Sequence, residues 1–380
     1  MQATVADIIH AMEGIAPSRL AEKWDNPGLQ IGQKDRPVKK ILIALDPLLE
    51  VVHYACSNDF DLLITHHPLI FTPLTSINLS DPVGSIINKA ILHKLSVFAA
   101  HTNLDSAKGG LNDALADKIG LCNLKVLGNI INQETCKLVI YVPVEYEDIV
   151  LSSLFEHAVE NKAGKIGEYT CCSFRGLGKG TFKPGAAAKP FIGKRDEISH
   201  VPEVRIETVV MKNHLNTVIE HVKQKHPYET MAYDVYPLVQ HDNDGINFQG
   251  IGRIGDLEKH TTLAGLAKEI KKKLALKTVK IAGKPDLSVK KVAMCTGSGS
   301  GLMDRFFSSQ AQVYISGDFR YHDARSAEDN DRGLIDIGHF ASEYPVVELL
   351  AKRLDNALSK AGIDVTIEKS SIEKDPFMIM

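Results

Sequence analysis

The sequence predicts an α/β protein whose two ends form the halves of one core, with an α+β module inserted between them. Three observations lead there. Short apolar runs separated by helix-length segments recur near the N-terminus, and the same rhythm returns near the C-terminus. Between them, strand-like and helix-like patterns follow the order β-α-β-β-α-β, which suggests a ferredoxin-like module. With 380 residues, 44% of them hydrophobic, the chain can bury a sizeable core and is long enough for two or three domains. We expect a first half-core over residues 1–126, an insert over 127–239 and a second half-core over 240–380.

Val5, Ile8, Ile9, Met12 and Ile15 recur at helical spacing and predict an opening amphipathic helix. Asp25-Asn-Pro-Gly-Leu-Gln-Ile-Gly32 reads as a turn-rich entry to the first strand. Strands are expected at Lys40–Leu45, Asp61–Thr65 and Val97–Ala100, and again at Lys291–Thr296, Gln312–Ser316 and Gly333–Ile337. A last helix from Ser342 to Lys360 presents Val346, Val347, Leu350, Leu354 and Leu358 on one face. In the insert, Lys137–Val142, Glu203–Met211 and Met231–Tyr236 read as strands and Tyr169–Lys183 as a glycine-punctuated hairpin region. Tyr146–Asn161 and His214–Lys225 read as helices.

Composition excludes several classes. The formal net charge of −3 provides no basic field for general nucleic-acid or anionic-membrane binding. The N-terminus lacks the basic and apolar regions of an export signal, and no run of 18 apolar residues occurs, so the expectation is a soluble cytoplasmic protein. Six cysteines are scattered without C-x-x-C spacing, so a bound metal would be held by histidine and carboxylate.

Candidate functional residues follow the strands. In open α/β sheets ligands bind beyond the carboxyl ends of strands, and Asp46, His66-His67 and His101 to Asp105 occupy such positions. Both histidines of Leu63-Ile-Thr-His66-His67-Pro68 can serve one site only where the chain begins to turn, because adjacent residues on a straight strand face opposite sides; Pro68 marks such a turn. An isolated His-His pair is more often one core and one solvated histidine. Asp105 alone would read as a helix N-cap, and Glu343 alone as a carboxylate favouring a helix terminus. Three clusters of the same chemistry at strand ends, the third being His339 and Glu343, make coincidence the weaker account.

Two further features are weaker. Thr296-Gly-Ser-Gly-Ser-Gly301 follows a strand and could cradle a phosphate at a helix N-terminus, or simply form a tight turn. Asp318 and His322 could orient ligands or act as general acid and base, with capping as the alternative. His226-Pro-Tyr-Glu229 and Phe248 are assigned no chemistry.

The blocks Thr65-His-His-Pro-Leu-Ile-Phe71, His101-Thr-Asn-Leu-Asp105 and Gly338-His-Phe-Ala-Ser-Glu343 resemble the motifs of the NIF3 (DUF34) family in order and spacing. Asp25–Gly32 and Gly317-Asp-Phe-Arg-Tyr-His322 are also similar to its segments. The resemblance implies a NIF3-like core around a di-metal site with His66, His67, Asp105, His339 and Glu343 as ligands. It also implies an insert like PII or CutA modules and a homohexameric ring. Many members are labelled GTP cyclohydrolase 1 type 2 homologues. Five nitrogen and oxygen ligands shared by two ions leave open positions for water. Such a set suits zinc, iron(II) or manganese, with zinc favoured. The expected function is a metal-dependent hydrolase acting on a nucleotide-like substrate. The alternative is a non-catalytic metal-binding or regulatory protein that uses the insert for ligand or partner binding.

Overall fold

The computed structural model describes residues 2–128, 135–156, 163–166, 169–238 and 249–378. The chain separates into two compact units, Met1–Ile131 with Asn247–Met380, and Asn132–Ile246. Val239, where the insert was expected to end, lies outside the described residues, as do Phe248 and Asn161 at the end of an expected helix.

The first unit begins with helix α1 (Val5–Ile15), strands β1 (Gly28–Ile31) and β2 (Lys40–Ala44), helix α2 (Leu49–Ser57) and strand β3 (Leu62–Thr65). Helix α3 (Pro82–Leu92), strand β4 (Ser96–Ala99), helices α4 (Thr102–Ser106) and α5 (Leu111–Ile119) and strand β5 (Leu121–Val126) follow. A reciprocal cap between Thr4 and Asp7 starts α1, and its residues Val5, Ile8, Met12 and Ile15 are buried at helical spacing.

The second unit contains β6 (Thr135–Pro143), α6 (Glu147–Phe155), β7 (Ser173–Phe182), β8 (Ser199–Met211), α7 (Leu215–Lys223) and β9 (Tyr233–Pro237). Its strands form one antiparallel sheet in the order β7-β8-β6-β9. Leu138, Ile140 and Val142 of β6 pack with Val204 and Ile206 of β8, Val150 and Leu154 of α6, and Val218 and Val222 of α7. Residues 169–183 are not a hairpin in themselves. Ser173–Phe182 is a single strand paired along its length with β8, and Gly180 within it leaves room for the Glu203 carboxylate, whose Oε2 lies 2.1 Å from where a Cβ would stand. The expected helix Tyr146–Asn161 ends by Glu156, which is extended.

The chain then returns to the first unit with β10 (Arg253–Thr262), α8 (Leu263–Lys273), β11 (Lys280–Ala282), β12 (Ser288–Ser298) and α9 (Met303–Ser308). The last elements are β13 (Val313–Gly317), α10 (Tyr321–Asp329), β14 (Gly333–Asp336), α11 (His339–Glu343), α12 (Val346–Lys360) and β15 (Thr366–Lys369). Two sheets result, ordered β1-β4-β3-β2-β15 and β11-β14-β13-β12-β10-β5. Within them β4, β3, β2 and β15 run parallel, as do β12, β13 and β14.

Parallel strands buried on both faces explain the continuous apolar runs. Ile41, Ile43 and Ile64 face a cluster with α1 and α12, whereas Leu42, Ala44, Leu63 and Val97 face α2 and α3. The halves also exchange elements, which the hydrophobic pattern did not foretell. From the C-terminal half, β15 pairs with β2 and α12 packs on the first sheet; from the N-terminal half, β5 pairs with β10. Gly28–Ile31, expected as a turn, is itself a strand antiparallel to β4. The expected helix Ser342–Lys360 is split, because Pro345 cannot donate a backbone hydrogen bond. Glu343 therefore ends α11 instead of opening α12. Among the described residues no helix is long and apolar enough to cross a membrane.

A buried cation ties the halves of this unit together. The fully buried Arg253 guanidinium donates to Asp113 and to the carbonyl oxygens of Ala107, Gly250 and Gly252. Removing one partner of a buried pair leaves its charge uncompensated. Asp113→Ala is expected to lower unfolding free energy by about 3–5 kcal/mol, read as a reduced urea midpoint; an unchanged midpoint would show that the carbonyls alone suffice for Arg253.

Candidate metal centre

The carboxyl ends of both parallel strand sets deliver polar side chains to one cluster. After β3 the chain leaves the sheet: the amides of His66 and His67 both donate to the Leu45 carbonyl, and Thr65 Oγ1 donates to His67 O at 2.7 Å. This turn places both imidazoles on the same side, with ring centroids 5.1 Å apart. After β4, His101 caps α4, whose first turn carries Asp105 inward. After β14, α11 brings His339 and Glu343 one turn apart.

Glu343 is at the middle. Its Oε2 lies 3.0 Å from His67 Nε2 and 2.9 Å from His339 Nε2, and its Oε1 lies 3.8 Å from His66 Nε2. Asp105 Oδ2 stands 3.8 Å from the same His66 nitrogen. His66, Asp105 and Glu343 are all buried. The structure thus brings together all five residues that the motif resemblance implied as ligands.

The opposite ring nitrogens are equally informative. His66 Nδ1 lies 2.8 Å from Ala100 O, His67 Nδ1 2.7 Å from Asp46 Oδ1, His101 Nδ1 2.8 Å from Asp25 Oδ1, and His339 Nδ1 2.6 Å from Asp318 Oδ2. Carbonyls and carboxylates only accept, so each neutral ring carries its hydrogen on Nδ1 and turns the lone pair of Nε2 away from that partner. His66 Nε2 and Glu343 Oε2, both buried, have no hydrogen-bond partner despite the short contacts. Lone pairs aimed at a buried carboxylate repel unless a proton or a metal cation sits between them, and this is the tautomer pattern of metal-ligating histidine.

Protonation in the metal-free protein follows the same constraint. Burial opposes charge on His67, but the hydrogen bond to Asp46 and the adjacent Glu343 carboxylate outweigh it and raise its pKa to about 10. The Glu343 contact leads in raising His339 to about 9. Burial is likewise outweighed at His66, where the Asp105 and Glu343 charges raise the pKa. Burial raises Asp105, with the Glu343 charge adding to it, whereas the imidazoles hold Glu343 well below the usual carboxylate range against its own burial.

The surroundings fix these groups. Thr296 Oγ1 donates to Asp105 at 3.1 Å, and the Gly297 amide donates to Ser342 Oγ at 2.8 Å. Gly297 has φ of +65° and passes so close to Glu343 that a Cβ would stand 2.1 Å from Oε1, so only glycine fits. Of the two readings of Thr296–Gly301, this favours the tight turn over the phosphate cradle: the Gly297 amide is already bonded to Ser342, and α9 behind the loop has only six residues. Of the two candidate acid–base residues, Asp318 meets the cluster through His339. His322 is exposed on α10 and stacks edge-on with Tyr321 at 5.5 Å, outside the groups that converge.

Sequence reasoning places His101 just past a strand but does not assign it as a ligand, and it gives Asp25 no role. Two overlapping groups could hold a metal ion, one of His66, His67 and His101 and another of His67, His339 and Glu343. The Asp25 carboxylate is buried and accepts from His101 and from the amide and hydroxyl of Thr102. The available signal was positional, since His101 follows β4 as His66 follows β3.

Two outcomes follow. A divalent ion must displace the protons on His67 and His339, so its affinity at neutral pH is expected to rise as pH climbs toward 9–10. Calorimetric titration with zinc in buffers of different ionisation enthalpy should register proton release, and pH-independent binding would contradict the geometry. Asp318→Ala removes the acceptor that orients His339, and is expected to weaken metal affinity roughly 10–100-fold in a competition assay with a chelator.

The Duf34/NIF3 (NGG1p interacting factor 3) family model matches residues 3–376. Proteins named GTP cyclohydrolase 1 type 2 homolog from Halalkalibacterium halodurans and Bacillus subtilis are 37% and 38% identical to this chain, over 97% and 98% of both sequences respectively. The crystal structure of a Bacillus cereus protein related to NIF3 is 36% identical and covers 100% of both chains with a TM-score of 0.83. Matched in sequence and in fold over nearly its whole length, this chain belongs to the Duf34/NIF3 family.

Proposed function

We propose that the chain is a metal-dependent hydrolase of nucleotide-like substrates, with His66, His67, His101, Asp105, His339 and Glu343 holding two divalent ions. The observation that carries the reading is the set of four imidazoles, each with Nδ1 on an oxygen acceptor. Two overlapping triads of ligand atoms share His67, whose one free Nε2 lone pair can serve a single ion, so in this proposal the Asp105 and Glu343 carboxylates complete the second site. Nitrogen and oxygen donors suit zinc, iron(II) or manganese, with zinc favoured. Burial pushes the Cys295 thiol up, so it stays protonated beside the site and offers no thiolate.

Divalent ions at such a centre supply Lewis acidity and acidify water near neutral pH. The protein's own groups then divide the remaining work. Asp105 and Glu343 bring two negative charges to balance the cations. Asp46, Asp25 and Asp318 hold three rings in register through Nδ1, and the Ala100 carbonyl holds the fourth. Asp46 and Asp318 remain partly exposed, so either can pass a proton between the cluster and solvent.

The names of the 37–38% identical relatives are consistent with a nucleotide substrate. Within the second unit, the sheet order and the two helices packed on its core support a ferredoxin-like insert. That self-contained core also favours a second reading, in which the insert senses a ligand or recruits a partner while the metal centre plays no catalytic part. A homohexameric ring in the cytoplasm, implied by family resemblance, belongs to the same proposal.

Metal-loaded protein is expected to hydrolyse GTP or a related nucleotide, and Asp105→Ala to reduce the rate roughly 100-fold or more. Absence of turnover across a broad panel of nucleotides and phosphoesters, by protein carrying its metal, would leave the regulatory reading.

A further inference from the structure

Beside the metal centre stands a pair of aromatic side chains that the core does not use. Trp24 is the single tryptophan of the chain. It is 57% exposed, and Phe71 is 51% exposed. Their rings lie 5.6 Å apart at 45°. Each also meets the His101 ring edge-on, Trp24 at 5.9 Å and Phe71 at 6.3 Å. The His101 ring in turn lies 5.2 Å from His66 and 5.5 Å from His67. The pair is therefore one imidazole away from the cluster.

Both rings are held in place by their neighbours. The side chain of Asp25, next to Trp24, is buried and bonded to His101 and Thr102. Asn26 Nδ2 donates to Ile70 O at 2.6 Å, and Ile70 N donates to Gln30 Oε1 at 3.1 Å, which ties the residue before Phe71 to the Trp24 segment. The same groups that orient a metal-site histidine thus fix two large apolar faces toward solvent. Exposed aromatic surface of this size gives up burial energy, and such patches mark binding sites.

We propose that Trp24 and Phe71 are a stacking platform that recognises the planar heterocycle of the substrate while its anionic end reaches the histidine cluster. The proposal rests on the hydrolase reading for the chemistry at the cluster, but not for the stacking. Aromatic faces hold bases of any sequence by stacking, and a net charge of −3 fits a free nucleotide better than a polyanion.

The test uses the full-length, metal-loaded protein and a panel of GMP, AMP, CMP and UMP, with ribose 5-phosphate as the ligand lacking a base. Emission from Trp24 is expected to change with at least one nucleotide and not with ribose 5-phosphate. By calorimetry, Trp24→Ala should weaken that nucleotide by about 5- to 100-fold and leave ribose 5-phosphate unaffected. Trp24→Phe should retain most of the affinity, and Phe71→Ala should weaken it while preserving the Trp24 signal. Circular dichroism and metal content guard against misfolding. Base-dependent binding without turnover upholds the platform even if hydrolysis fails. The proposal is overturned if no nucleotide perturbs Trp24 at millimolar concentration, or if nucleotide and ribose 5-phosphate bind alike in wild type and Trp24→Ala. It is also overturned if Trp24→Ala changes only the oligomeric state in light scattering.

Discussion

A carboxylate buried among imidazole lone pairs is unstable by itself, and much of the first unit is arranged around that constraint. The close neighbours of the Glu343 oxygens are the ring nitrogens of His66, His67 and His339. Each of those rings is held by an acceptor at its far side, so reorienting a ring to relieve the clash would break a short hydrogen bond. Protons satisfy the arrangement in the metal-free protein, which is why His67 and His339 titrate so far above ordinary histidine. A metal cation would satisfy it as well, because one ion can accept several lone pairs at once.

The fold supplies the rigidity that this cluster needs. Histidines and carboxylates come from the ends of β3, β4 and β14, which belong to two different sheets. Those sheets are joined by exchanged elements: β15 and α12 from the C-terminal half complete the first sheet, and β5 from the N-terminal half completes the second. Glu373, near the end of the chain, accepts from the amides of Leu45 and Asp46 and so positions the residue that holds His67. A centre built from both ends of the sequence is thereby sensitive to the packing of each.

Much of this was legible in the sequence, for physical reasons. Strands buried on both faces leave unbroken apolar runs, so β2, β3 and β4 were readable to within a residue or two, and ligands fall just after such runs. Local chemistry outside that rule was harder to read. Gly28–Ile31 looked like a turn because its pairing with β4 is set by tertiary contact. The glycines of β7 looked like turn signals, although Gly180 is needed for space beside Glu203. Pro345 divides the last helix, and that division is what swings Glu343 back to the cluster. His101 was placed past its strand but not assigned as a ligand, because no pattern of residue types separates a ligand from a helix cap; only its proximity to His66 and His67 does.

The proposed aromatic platform and the candidate metal centre share Asp25 and His101, which would link recognition of a planar ligand to the geometry of bound ions. Whether ions occupy the cluster is the point on which the functional reading turns. Anomalous diffraction at the metal absorption edges, on crystals of metal-loaded protein, addresses it most directly. Two peaks per chain, flanked by the Nε2 atoms of His66, His67, His101 and His339 and by the Asp105 and Glu343 carboxylates, are the predicted result. A cluster without anomalous density, or ions bound only elsewhere on the chain, would contradict it.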